Sequence, residues 1–100
     1  MMKLVRDRIP GIIRQSGREP VIRRLSGDEM GAALREKLVE EAGELKEAGD
    51  IYEELADVLE VVDAIVEHYG IDLRKLEKVK REKLERAGGF KEGYQLAGER

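Results

Sequence analysis

Residues 34–62, with the sequence LREKLVEEAGELKEAGDIYEELADVLEVV, carry the clearest information on how this chain folds. This stretch contains two segments of helix-forming residues, separated by Gly49 and Asp50. One face of the first segment follows the 4-3-4-3 spacing of a buried helical stripe: Leu34, Leu38, Glu41, Leu45 and Ala48. The second segment carries apolar residues over more than half of its circumference. We therefore expect two helices that pack antiparallel across the Gly49 turn.

The rest of the chain carries further start and stop signals for helices. Capping residues mark the starts, with Ser26 and Glu29 as a capping box, and Asp50 and Asp72 as single caps. Glycines mark the ends. These signals predict helices at residues 8–16, 26–48, 51–69 and 73–87, and so an all-α antiparallel bundle. Two short runs, Lys3–Arg6 and Val21–Leu25, leave open a minimal β-ribbon near the N-terminus.

Length and composition limit the class of protein. One hundred residues fit a single domain, with a basic N-terminal segment at 1–25, a helical core at 26–87 and a tail at 88–100. Cysteine is absent, which excludes disulfides, thiolate catalysis and cysteine-based zinc sites. No uncharged run exceeds six residues, and the first eight residues hold no apolar core of a signal peptide. We therefore expect a cytoplasmic protein without a membrane segment.

Charge is distributed unevenly along the chain. Residues 1–25 carry a net charge of +5, residues 26–72 of −12, and residues 73–100 of +4. An acidic centre between basic ends could place a cation beside phosphate-binding groups. The alternative is that the asymmetry arises by chance on charged helix surfaces. Binding to nucleic acid is not expected, because the acidic centre would repel it.

Two acidic pairs with i, i+3 spacing stand on the two central helices: Glu41 with Glu44, and Glu54 with Asp57. This spacing places both carboxylates of a pair on one helix face. If the helices pack antiparallel, the pairs converge and repel each other unless a cation lies between them. Oxygen ligands suit Mg²⁺, Mn²⁺ or Ca²⁺. The alternative is that Glu41 and Glu54 pair with lysine or arginine, or lie at the rim of the bundle.

Three motifs, which together cover most of the chain, resemble one superfamily. Glu40-Glu41-x-x-Glu44, followed by Glu54-Leu55-Ala56-Asp57, is similar to the ExxE…ExxD signature of the all-α nucleotide pyrophosphohydrolases. These include the MazG proteins, the dimeric dUTPases and phosphoribosyl-ATP pyrophosphohydrolase. The opening Lys3-Leu4-Val5-Arg6-Asp7-Arg8-Ile9-Pro10 and the later Gly88-Gly89-Phe90 resemble a sub-group of small MazG-like proteins. That sub-group usually has arginine directly before Gly-Gly-Phe, where Ala87 stands here.

The resemblance implies hydrolysis of a nucleoside triphosphate between its α- and β-phosphates, giving a monophosphate and pyrophosphate. It implies that four carboxylates hold Mg²⁺, or alternatively Mn²⁺: Glu41, Glu44, Glu54 and Asp57. Glu41 or Glu44 would orient or deprotonate the attacking water. The phosphate contacts would come from basic residues: Lys3, Arg6, Lys37, Lys83 and Arg86. For each basic residue, a solvated surface charge is the alternative.

The sequence also leads to expectations for the binding partners of this chain. A helix as apolar as the segment at 51–69 needs neighbours on several sides, which predicts a homodimer. The resemblance implies a homodimer or homotetramer, and a nucleotide as the substrate. Two other functions stay open. One is phosphoribosyl-ATP hydrolysis in histidine biosynthesis, although Val58-Leu59-Glu60-Val61 stands where those enzymes carry a Leu-Tyr-His-like run. The other is a helical dimerisation or regulatory module without catalysis.

Overall fold

A computed structural model describes residues 2–47 and 49–100 of the chain. These residues form four α-helices and no strand: α1 (Ile9–Gln15), α2 (Gly27–Glu47), α3 (Ile51–Tyr69) and α4 (Leu73–Ala87). The predicted all-α class is confirmed. The end predicted for the first long helix, at Ala48, lies outside the described residues. Within the described ranges, none of the helices is both long and apolar enough to cross a membrane.

The helix ends form where the capping residues predict them. Asp50 Oδ1 accepts hydrogen bonds from the backbone N–H groups of Tyr52 and Glu53, at 3.0 and 3.3 Å. Asp72 caps α4 in the same way. Gly70 ends α3 with φ of 59°, in the left-handed region that favours glycine. These predictions were correct because capping depends on residues within one turn of the helix end.

The N-terminal β-ribbon was a wrong prediction. Neither Lys3–Arg6 nor Val21–Leu25 forms a strand, and the side chain of Val21 is fully exposed. Two isolated short strands are only marginally stable without a third strand or a helix to cover them. Three basic residues of these runs, Lys3, Arg6 and Arg23, pair with helix carboxylates, as in the ion pair of 2.8 Å between Arg23 Nη2 and Glu29 Oε2. Glu29 thus binds Arg23, although the sequence predicted that it would complete a capping box with Ser26.

Helices α2 and α3 pack antiparallel and hold the core of the first of two compact units, Met1–Gly70. Leu34 is 2% exposed, and Val61 is also buried. The helices approach closely at Gly31, where a Cβ atom would lie 2.5 Å from the Tyr69 hydroxyl oxygen. The predicted stripe on α2 is confirmed for its described members, which are buried or half-buried: Leu34, Leu38, Glu41 and Leu45.

The second unit, Ile71–Arg100, consists of α4 and an irregular tail. Helix α4 ends at Gly88, whose N–H donates to the carbonyl oxygen of Leu84 at 2.8 Å. Residues 88–100 form no helix or strand, as expected for a glycine-rich segment. The expectation of a single domain over residues 1–100 stays a prediction.

Candidate metal centre

Three carboxylates converge where α2 and α3 pack together. Glu41 and Glu44 come from α2 and Glu54 from α3, and one oxygen of each lies within 4.8 Å of the other two. The i, i+3 spacing on α2 and the antiparallel packing across the turn produce this meeting. Oxygens on opposite sides of a bound Mg²⁺ or Ca²⁺ lie about 4 to 5 Å apart, which matches the observed spread.

Two oxygens of this cluster are buried without a hydrogen-bond donor. Glu41 is 7% exposed, although it is a carboxylate. Within residues 2–47 and 49–100, no donor reaches Glu41 Oε2 or Glu54 Oε2. A buried acceptor without a partner is costly, so we expect a cation, a proton or a bound water at these atoms. A hard divalent cation therefore fits the donor set.

The pKa of Glu54 is raised, as expected for a carboxyl group in a crowded acidic cluster. Burial raises the pKa of the Glu54 carboxyl, and the negative charges of Glu44, Asp57, Glu41 and Glu53 raise it further. The ionised form is disfavoured because it adds negative charge to an acidic cluster. A bound cation would reverse this effect by favouring the ionised form.

A lysine network borders the cluster on α2. Lys37 Nζ lies 3.2 Å from Glu40 Oε2 and 3.4 Å from Glu41 Oε1, and Lys3 Nζ lies 3.5 Å from Glu40 Oε1. Burial lowers the pKa of Lys37, but the hydrogen bonds and charges of Glu40 and Glu41 outweigh it, so that the pKa is raised. The hydrogen bond from Lys37 in turn lowers the pKa of Glu40. Lys37 therefore stays protonated beside the cluster.

Asp57, the fourth predicted metal ligand, forms an ion pair with Arg6 of the same chain. Its Oδ1 accepts a hydrogen bond of 2.6 Å from Arg6 Nη2. Arg6 lies in the segment before α1, 51 residues away in sequence. A cleft of about 300 Å³ opens at this contact, and its lining combines three cations, two carboxylates and two apolar side chains: Lys3, Arg6, Lys37, Glu41, Asp57, Val5 and Ile9.

The structure thus brings most of the predicted site residues into one place. Glu41, Glu44 and Glu54 form the carboxylate cluster, and Lys3, Arg6, Lys37 and Asp57 adjoin it. Lys83 and Arg86 lie on α4 in the second unit, where both are exposed, and their phosphate-binding role stays a prediction.

Sequence reasoning missed Glu40, which binds two of the lysines predicted to contact phosphate. The signal was present, because Lys37 and Glu40 have the i, i+3 spacing of a helical ion pair. The contact from Lys3 had no such signal, since it depends on how the N-terminal segment crosses α2.

Comparison with known proteins finds one similar segment. An uncharacterized protein of Mycolicibacterium smegmatis is 65% identical to this chain over 48 residues, which are 48% of this chain and 49% of that protein. The match therefore spans about half the length of that relative. No family model matches the chain, and no solved structure matches it.

Proposed function

We propose that this protein is a Mg²⁺-dependent nucleotide pyrophosphohydrolase of the MazG-like type. It would cleave a nucleoside triphosphate between the α- and β-phosphates, releasing a monophosphate and pyrophosphate. The observation that carries this proposal is the meeting of Glu41, Glu44 and Glu54, with two buried unpaired oxygens, beside a cleft lined by three cations. The resemblance of the ExxE…ExxD, N-terminal and Gly-Gly-Phe motifs to that superfamily supports it.

The residues of the cluster would divide the work of binding and proton transfer. Glu41, Glu44 and Glu54, joined by Asp57, would hold Mg²⁺ or Mn²⁺, which supplies positive charge for the phosphates and acidifies water. Glu41 Oε1 faces Lys37 while Oε2 has no donor, so Oε2 is suited to orient the attacking water or accept its proton. The oxygen of that water joins phosphorus as the bond to the leaving pyrophosphate breaks.

The cations of the cleft would hold the triphosphate. Arg6 offers a planar fork that suits phosphate oxygens, and the ammonium groups of Lys3 and Lys37 add point charges. The apolar side chains of Val5 and Ile9 line the same cleft.

We further propose that the enzyme is a homodimer. Helix α3 exposes five large apolar side chains: Ile51, Tyr52, Leu55, Leu59 and Tyr69. An apolar surface of this kind on a helix that also lines the core is typical of an interface between copies. A homotetramer would need a second such surface.

The test is pyrophosphate release from a panel of nucleoside triphosphates, with Mg²⁺ and with a chelator. Phosphoribosyl-ATP is included in the panel. We expect release only with Mg²⁺. We also expect Glu41→Gln to lower the rate at least about 100-fold, since it removes a ligand and an acceptor. Glu36→Gln is the matched control, because Glu36 is exposed on the same helix and loses the same charge.

The other outcomes of this test either favour another function or reject the site. Activity on phosphoribosyl-ATP alone would favour the histidine-pathway reaction. Unchanged turnover in Glu41→Gln would reject the cluster as the active site. Release of pyrophosphate from none of the substrates, together with no Mg²⁺ binding by calorimetry, would favour a helical dimerisation or regulatory module.

A further inference from the structure

We propose that the Arg6–Asp57 ion pair is a built-in exchange contact that couples divalent-cation binding to phosphate binding. A cation that enters the carboxylate cluster takes over Asp57 and releases the Arg6 guanidinium, which then binds a phosphate group. This proposal rests on the proposed function, because it assumes that the cluster holds a divalent cation.

Arg6 binds a carboxylate that adjoins the candidate metal cluster. Asp57 lies one helical turn after Glu54 on α3, on the same face of the helix. Its Oδ1 is engaged by Arg6 Nη2 at 2.6 Å, whereas Glu54 Oε2 is buried without a donor. The N-terminal arginine therefore binds the carboxylate that adjoins the cluster, whereas Glu41 Oε2 and Glu54 Oε2 inside the cluster have no donor among the described residues.

A divalent cation and the Arg6 guanidinium compete for Asp57 because both are positively charged. The guanidinium supplies a positive charge where Glu41, Glu44, Glu54 and Asp57 concentrate negative charge. A divalent cation supplies more positive charge over a shorter distance and repels the guanidinium. Cation binding and the Arg6 contact consequently oppose each other at Asp57.

The released guanidinium stays beside a suitable anion site. Arg6, Lys3 and Lys37 all line the same cleft of about 300 Å³. An arginine fork binds phosphate oxygens through two parallel hydrogen bonds. A phosphate that captures Arg6 prevents its return to Asp57, so phosphate must strengthen cation binding, and cation must strengthen phosphate binding by the same factor.

The expected change in Mg²⁺ affinity depends on how exposed the Arg6–Asp57 ion pair is. The side chains of Arg6 and Asp57 are 56% and 38% exposed, so solvent screens their attraction. Exposed pairs change equilibria by about 1.4-fold to fivefold, and the contact of 2.6 Å places this pair in the upper part of that range. Calorimetry resolves a change of that size.

The test is calorimetric titration of the full chain with MgCl₂, in chloride buffer and in inorganic phosphate buffer of equal ionic strength. In the wild type we expect phosphate to tighten Mg²⁺ binding. Arg6→Gln should bind Mg²⁺ about threefold to fivefold more tightly in chloride, and phosphate should then add less than twofold. Arg14→Gln is the matched control, since it removes the same charge from a pair with Glu19 outside the cleft.

The outcomes separate this proposal from the proposed function. If Arg6→Gln and Arg14→Gln bind Mg²⁺ equally in chloride, the exchange contact is rejected while the metal centre stands. If Arg6→Gln keeps the full phosphate effect, Arg6 is not the phosphate ligand and the proposal is again rejected. If the wild type binds no Mg²⁺ in either buffer, the exchange contact and the proposed function both fail.

Discussion

At the scale of the single residue, the raised pKa of Glu54 makes the folding stability depend on pH. Burial and then the surrounding carboxylates raise the pKa of its carboxyl group. The folded chain therefore holds this proton more tightly than the unfolded chain does. Ionisation of Glu54 opposes folding, and folding stability falls as pH rises from the ordinary glutamate pKa of about 4.3 through the raised value.

Glu54→Gln should remove this penalty and reveal its pH dependence. We expect the variant to melt at a higher temperature than the wild type at pH 7 without metal. The difference should shrink as pH falls to about 4, where Glu54 is mostly protonated in both states. The measurement is thermal unfolding followed by circular dichroism across this pH range.

Glu60→Gln is the control for that experiment, because Glu60 is exposed on the same helix and loses the same charge. It should show no such pH-dependent gain. Added Mg²⁺ should stabilise the wild type more than Glu54→Gln, since the variant lacks one ligand. A Glu54→Gln variant that is less stable at pH 7 than at pH 4, relative to wild type, would contradict the placement of Glu54 in the cluster.

At the scale of the helix, substitution of two glycines of α2 by alanine distinguishes the effect of helix propensity on stability from the effect of packing. Nothing lies within 4 Å of a Cβ atom at Gly43, whereas one at Gly31 would meet the Tyr69 hydroxyl at 2.5 Å and His68 Nε2 at 3.3 Å. Gly43→Ala should therefore stabilise the protein by about 1 kcal/mol, the usual gain for alanine in a helix. Gly31→Ala should gain less or destabilise, because Tyr69 must move.

Urea denaturation of both glycine variants gives the two free energies of unfolding directly. Tyr69 also lies 5.2 Å from the Arg35 guanidinium, measured to the ring centroid, so its displacement disturbs a cation–π contact. Equal stabilisation by both substitutions would show that α2 and α3 do not approach closely at Gly31.

The helix ends and the carboxylate cluster could be predicted from the sequence, whereas the contacts of the N-terminal segment could not. Helix ends at Asp50, Gly70 and Asp72 were predictable because their signals act within one turn. The convergence of Glu41 and Glu54 was predictable from periodicity and a short turn. The Arg6–Asp57 contact was not, since it joins residues 51 positions apart and depends on the path of a segment without regular structure. The β-ribbon failed for the related reason that strand pairing needs partners which local sequence does not specify.

At the scale of the whole molecule, one chain buries few apolar side chains for its length. Among the described residues, the buried hydrophobic side chains are Leu34 and Val61. Small domains with little buried apolar area commonly need another source of stability, such as association. The exposed side chains of α3 offer that source, and a dimer through α3 would cover them on both copies.

Substitution on α3 tests this association. The wild type should sediment at about twice its mass of 11.3 kDa, and its melting temperature should rise with concentration. Leu59→Lys should weaken the dimer at least about tenfold, because an unpaired ammonium would be buried at an apolar contact. Val21→Lys, which places the same charge at an exposed apolar position outside the helices, should leave the dissociation constant within about twofold. A wild type that sediments at 11.3 kDa at every concentration would instead mean that the exposed face of α3 is not an interface between copies.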